Sequence, residues 1–216
     1  MATSPLTMLV NPNAFFGRNP TEWEALRIPA LIMLAAAVVA GAMAYLTTGL
    51  VARIMPADVQ AYQGVMLIAG TASALIFTFL IWAVWAAVFF VISLAFQGKG
   101  SFRRTLAVTG YGYLPMVIGN LLSLALLWVA LPGIRVTPVS GMDPGEIQAV
   151  TTALMHQPAL LLAGLLGIIF LLWAANIWIF GIRYARGLSL RHAAITVGIP
   201  VGLFILMTVW NLGVFT

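Results

Sequence analysis

Five long apolar runs without Asp, Glu, Lys, Arg or His dominate this sequence. They cover residues 28–50, 64–96, 106–131, 159–182 and 193–214. A helix needs about 20 apolar residues to cross a hydrocarbon core of roughly 30 Å. Only 7% of the chain is charged, whereas about a quarter of the residues are charged in a soluble domain. We therefore predict an all-α integral membrane protein, a bundle of five transmembrane helices with short interfacial helices.

The second run is longer than one crossing requires. At 1.5 Å per residue, residues 64–96 would form a helix of roughly 50 Å, which is too short for two crossings and a turn. We expect one long or tilted helix, with Gly70 as the candidate position of a break. Pro56 can occupy a first helical turn, so residues 55–62 are expected to start a helix outside the membrane.

The charged residues predict the orientation of the bundle. Of the ten lysines and arginines, only Arg53 and Arg135 fall on one side, and the other eight fall on the opposite side. Cytoplasmic loops carry the excess of cations. The amino terminus is therefore predicted to be cytoplasmic and the carboxyl terminus to be outside, in a prokaryotic cell membrane. Residues 1–27 become a cytoplasmic or interfacial segment, and residues 28–216 form the five-span domain.

The cations near the cytoplasmic turns form a candidate face for lipids or partners. Their first role is to fix topology, and attraction to anionic headgroups accompanies it at about 1 kcal/mol per residue. Because topology explains them, no nucleic acid is expected. The face consists of Lys99, Arg103, Arg104, Arg183, Arg186 and Arg191.

Two further segments predict short helices outside the spans. Asn19-Pro20-Thr21-Glu22 and Asp143-Pro144-Gly145-Glu146 each place a capping residue before proline at the first helical position. After Asp143, apolar residues recur on one helical face. We also expect the apolar residues of the amino-terminal segment to lie on the inner membrane surface: Leu6, Leu9, Val10, Phe15 and Phe16.

An internal repeat is hypothesised at an offset of 88 residues. Under this shift, Trp85-Ala86-Ala87 falls on Trp173-Ala174-Ala175, and spans two and three would match spans four and five as parallel hairpins. Ser101 and Ser189 would cap the helix that follows each basic turn. Both hairpins then carry glycine and proline, which predict a kink or a close helix contact. These residues are Gly110, Gly112, Pro115, Gly198, Pro200 and Gly202.

No catalytic or metal-binding pattern is found. The chain has no cysteine and two histidines far apart, so no ligand cluster is expected. All acidic residues lie outside the spans, which excludes a carboxylate pair buried in the membrane. We expect no enzyme and no cofactor. The polar residues of spans three to five serve either as interhelical packing or as the lining of a neutral cavity: Tyr111, Tyr113, Asn120, Asn176 and Asn211.

Two motifs resemble a known family. GKGSFRRTLAVTGYGYLP, residues 98–115, and NPNAFF, residues 11–16, are similar to segments of the Yip domain family, the Ypt/Rab-interacting membrane proteins, in compact prokaryotic form. The resemblance implies a five-helix membrane domain with a cytoplasmic amino terminus. Eukaryotic relatives associate with prenylated small GTPases and with one another. They carry a longer cytosolic region than residues 1–27 of this chain, so a GTPase partner is not carried over.

The combined hypothesis is a non-enzymatic membrane scaffold or adaptor. It would act through its basic cytoplasmic face and through contacts with other membrane proteins or further copies of itself. The alternative is a transporter, channel or lipid-handling protein that uses a neutral polar cavity among spans three to five.

Overall fold

A computed structural model describes residues 5–18, 24–134, 139, 141 and 143–211 of the chain. Within these residues all regular structure is helical and no strand occurs. Five helices are long and apolar enough to cross a membrane, which confirms the predicted fold class. The proposed helix start at Asn19-Pro20-Thr21-Glu22 lies outside the described residues.

Two short helices begin the described chain. Helix α1 spans Pro5–Val10 and α2 spans Pro12–Gly17. Asn11 caps α2, because its side-chain oxygen accepts a hydrogen bond from the Ala14 N–H at 3.0 Å. Pro12 then occupies the first turn, where a missing N–H costs nothing.

The first two spans are uninterrupted helices. Helix α3 covers Arg27–Ile54, the short helix α4 covers Ala57–Gln60, and α5 covers Gln63–Leu94. The expected short helix after Pro56 is confirmed. Helix α5 runs unbroken for 32 residues, so the candidate break at Gly70 was wrong.

The third span is divided. Helix α6 covers Phe102–Gly112 and α7 covers Leu114–Ala130, followed by a 3-10 turn at Leu131–Gly133. Tyr113 joins α6 to α7, and Pro115 lies in the first turn of α7. The predicted interruption of this span is confirmed.

The last three helices complete the bundle. Helix α8 covers Pro144–Met155, α9 covers Pro158–Arg186 and α10 covers Leu190–Asn211, with Pro200 inside α10. The Asp143 carboxylate accepts the Gly145 N–H at 3.1 Å, which confirms the predicted cap of α8. Buried Leu154 marks the inner face of α8.

Helix α9 lies at the centre of the packing. It contacts α2, α6, α7 and α10, while α3 packs against α5, α6 and α7. The core is strongly aromatic: the Trp178 ring lies 5.5 Å from Trp85, 5.4 Å from Phe89 and 5.6 Å from Tyr113. The start of α3, the α5–α6 turn and the α9–α10 turn lie together, and we call this the basic end.

Candidate functional site

The centre of the basic end is a buried arginine. Arg186, in the last turn of α9, is 1% exposed. Its Nε donates to Ser93 Oγ at 2.8 Å, one terminal nitrogen donates to the Gly98 carbonyl at 2.8 Å, and the other donates to the Gly100 carbonyl. The guanidinium carbon lies 4.2 Å from the centre of the Phe90 ring. A planar fork of donors suits such a set of acceptors, and it stacks well on an aromatic face.

The backbone of the α5–α6 turn is fixed to α9 as well. The Lys99 N–H donates to the Arg186 carbonyl at 2.7 Å. Gly100 adopts φ +107°, and a Cβ there would overlap the Ala185 carbonyl oxygen, so only glycine fits this position. The turn therefore lies directly on the end of α9.

The two basic turns also meet through side chains. The Phe96 ring stacks on His192 with centroids 4.6 Å apart. Ser101 and Ser189 accept N–H bonds from Arg104 at 3.3 Å and His192 at 3.2 Å, which confirms both predicted caps. The hairpins α5–α6 and α9–α10 thus share one interlocked end, whereas their origin as a repeat stays a prediction.

The six cations of the candidate face differ in accessibility. Lys99, Arg103 and Arg191 are exposed. Arg104 is partly covered and lies 3.3 Å from Glu24, and half-buried Arg183 donates to Asn13 Oδ1 at 3.4 Å. Arg186 does not belong to the exposed face, because it is buried and its guanidinium donates hydrogen bonds within the chain.

The glycines of the α6–α7 break permit close helix packing. A Cβ on Gly110 would lie 2.7 Å from Pro29 Cβ, and one on Gly112 would overlap the Trp178 indole. The Trp178 N–H donates to the Thr109 carbonyl at 2.8 Å, since the broken helix offers acceptors to neighbours. Tyr113 and Pro115 are buried at the same junction.

The amino-terminal helices bury aromatic side chains in the protein, whereas Val10 is exposed. Phe16 is fully buried and faces Gly181 of α9, and Phe15 lies 5.8 Å from the Tyr111 ring. Asn13 Oδ1 accepts a hydrogen bond from the Tyr184 hydroxyl at 2.8 Å. The expectation that the two phenylalanines lie on the inner surface was wrong, because α6 and α9 form a groove that receives them.

The second glycine pair does not behave like the first. A Cβ on Gly198 or Gly202 would meet no atom within 4 Å, so no described helix of this chain makes the predicted close approach along α10. Pro200 is half-buried beside them, and α10 continues through it.

The asparagines of the spans do not gather around a common site. Asn120 is half-buried on α7 and Asn176 is exposed on α9, with no hydrogen bond between them. The side chain of Asn211 lies outside the described part of the structure. An open groove of about 900 Å³ instead lies between α3, α5 and α7, with Gly41, Thr71, Leu75 and Leu124 in its lining. Within the described ranges no group of three His, Asp or Glu side chains could hold a metal ion.

Comparison with known proteins places the chain in a family. The model of the Yip1 domain matches residues 6–211. The chain belongs to the Yip1 family. An uncharacterised protein of Methanocaldococcus jannaschii is 32% identical over 120 residues, which cover 56% of this chain and 85% of that protein. No solved structure matches this Yip1 domain.

In this Yip1 domain the NPNAFF segment packs against the segment of residues 98–115. NPNAFF supplies the cap of α2, the Asn13 acceptor and the two buried rings. The rings meet Tyr111, which belongs to the second motif. Sequence reasoning missed Ser93, Phe90 and Trp178 as partners, because residues of these types are common in apolar helices and carry no spacing signal.

Proposed function

We propose that this Yip1 domain is a non-enzymatic membrane scaffold or adaptor that binds anionic lipids or acidic partner segments at its basic end. The observation that carries the proposal is that the basic residues at this end have two different roles. Arg186 is committed to holding the α5–α6 turn, while Lys99, Arg103 and Arg191 are exposed on the same turns and form no salt bridge with another described residue.

A fixed turn favours binding at an exposed cationic surface. Ordering a loop upon binding costs conformational entropy, and a turn that is already ordered avoids this cost. The hydrogen bonds from Arg186 and the Gly100 geometry support such preorganisation. With the positive-inside rule, the basic end faces the cytoplasm of a prokaryotic cell, where the inner leaflet carries anionic lipid.

The test compares charge removal at the two ends of the bundle. Lys99, Arg103 and Arg191 are changed together to glutamine, and Arg53→Gln at the opposite end is the control. Each cation near a membrane surface contributes about 1 kcal/mol, so we expect retention of anionic phospholipid and co-purified protein partners, measured by mass spectrometry in mild detergent, to fall sharply for the triple variant alone.

Topology must be read in the same experiment, because these cations also orient the chain. Reporter fusions at both termini identify the variants that insert like the parent. Unchanged lipid and partner retention in a correctly inserted triple variant would refute the role of the basic end.

A further inference from the structure

Helix α9 carries a regular stripe of exposed residues along its free side. Leu162, Leu165, Ile169, Leu172 and Asn176 follow one another at spacings of three and four residues. The four apolar members are each about half exposed. The helices packed against α9 include α2, α6, α7, α8 and α10, and the stripe residues remain exposed beside them. Alternating steps of three and four place side chains on a single seam, as in left-handed helix pairs.

The stripe ends in a polar residue within the apolar length of α9. Asn176 precedes Arg186 by ten residues, which corresponds to about 15 Å along a helix, or half of the roughly 30 Å hydrocarbon core. Its exposed side chain makes no hydrogen bond to another described residue. A carboxamide in lipid without a partner is unfavourable.

Several polar groups of the spans are satisfied inside the chain, although the buried Thr71 Oγ1 has no hydrogen-bond partner among the described residues. The hydroxyls of Thr78 and Thr109 donate to the carbonyl four residues earlier, each at 2.8 Å. The Trp173 indole, next to the stripe, donates to the Leu9 carbonyl at 3.0 Å. Asn176 differs from these groups because its carboxamide is exposed and can reach a hydrogen-bond partner outside the monomer.

We propose that the α9 stripe is the interface with a second copy of this chain, in a parallel pair with Asn176 facing Asn176. Two copies inserted alike are related by a two-fold axis along the membrane normal, so identical residues meet at the same depth. A carboxamide is self-complementary, since each can donate to the oxygen of the other. A single asparagine in an otherwise apolar seam also fixes register and oligomeric state.

This inference rests on the proposed scaffold function, for which a dimer would place two basic ends side by side. The proposed Asn176 hydrogen bonds and the apolar seam involve only α9 of each copy. The pairing can therefore be tested without any lipid or partner that binds at the basic end.

Single-cysteine cross-linking in membranes gives the direct test, because the chain has no native cysteine. Cysteine is placed at 165, 169, 172 and 176 in turn, and at the off-stripe positions 166 and 168. Ile76→Cys on α5, which is 71% exposed, is the control for random collisions in the bilayer. Oxidation should give disulfide dimers at the stripe positions and background levels at the other three.

The asparagine is tested by replacement. Interhelical hydrogen bonds in membranes are modest, so Asn176→Leu should weaken dimerisation about three- to eighteen-fold in a dilution series measured by energy transfer. Asn176→Gln should retain most of the affinity, and Asn120→Leu, a polar residue off the stripe, should leave it unchanged.

Cross-linking without the three–four pattern, or an Asn176→Leu variant that dimerises like the parent, would overturn the interface. Either result could occur with lipid and partner binding at the basic end intact, in which case the scaffold proposal would stand while the α9 dimer would fail.

Discussion

Replacing Arg186 by methionine should destabilise the protein strongly although the new side chain is apolar and unbranched. The change removes three donors and leaves Ser93 Oγ and the Gly98 and Gly100 carbonyls without their partner. Hydrogen bonds from a charged donor contribute about 1.5–3 kcal/mol each, and an unsatisfied buried group costs about 1–3 kcal/mol.

Two effects reduce the net loss of stability. Methionine avoids the cost of burying a charge, which amounts to several kcal/mol per ion, and water can reach part of the turn. We therefore expect a net loss of about 3 kcal/mol. For a chain of this size, about 1 kcal/mol changes Tm by about 2–4 °C, so the melting temperature should fall by about 6–12 °C.

The assay is thermal unfolding of the detergent-purified protein, followed by the loss of its monodisperse peak. Arg191→Met is the matched control, because Arg191 is exposed on the adjoining turn and should change Tm by less than about 2 °C. Arg186→Lys tests the geometry: a point charge cannot reach all three acceptors, so it should recover only part of the loss. An Arg186→Met variant that melts like Arg191→Met would refute the stabilising role of the Arg186 hydrogen bonds to the α5–α6 turn.

Two further predictions concern packing at the basic half of the bundle. Gly112→Ala should destabilise the protein by about 1–3 kcal/mol, because the added methyl overlaps the Trp178 indole. Gly198→Ala, with open space around it, should be neutral or stabilising in the same melting assay. Equal effects of the two substitutions would contradict the glycine contacts. Phe16→Ala should lower the free energy of unfolding by about 3–5 kcal/mol and make the amino-terminal helices accessible to protease. Val10→Ala, at an exposed position, should do neither. A protease-resistant Phe16→Ala variant would show that the ring does not hold α2 in place.

The spans could be predicted from the sequence because lipid imposes length and charge rules that act on whole segments. Caps at Ser101, Asp143 and Ser189 were also predictable, since a cap is a local interaction between residues two or three positions apart. The interruption at Gly112–Pro115 followed from residues that disfavour helix. Each of these features depends on short-range chemistry.

Long-range partners were not predictable in the same way. Arg186 lies one turn beyond Ile182 and two beyond Trp178, on the buried face of α9. Because α9 is apolar nearly all round, no periodicity in the sequence separates that face from the lipid-facing one. Arg183 and Arg186 therefore look alike in the sequence, although one contacts Asn13 and the other holds the turn between α5 and α6.

The amino-terminal helices pack on the same segment of α9 that carries Arg186. Phe16 faces Gly181 on α9, and five residues further along the same helix Arg186 grips the α5–α6 turn. Val108 of α6 also faces Gly181, so the rings of α2, the broken third span and the basic turn all bear on one helical segment. A change in the seating of α2 would act directly on the segment that carries Arg186. The short amino-terminal helices therefore belong to the structural support of the basic end.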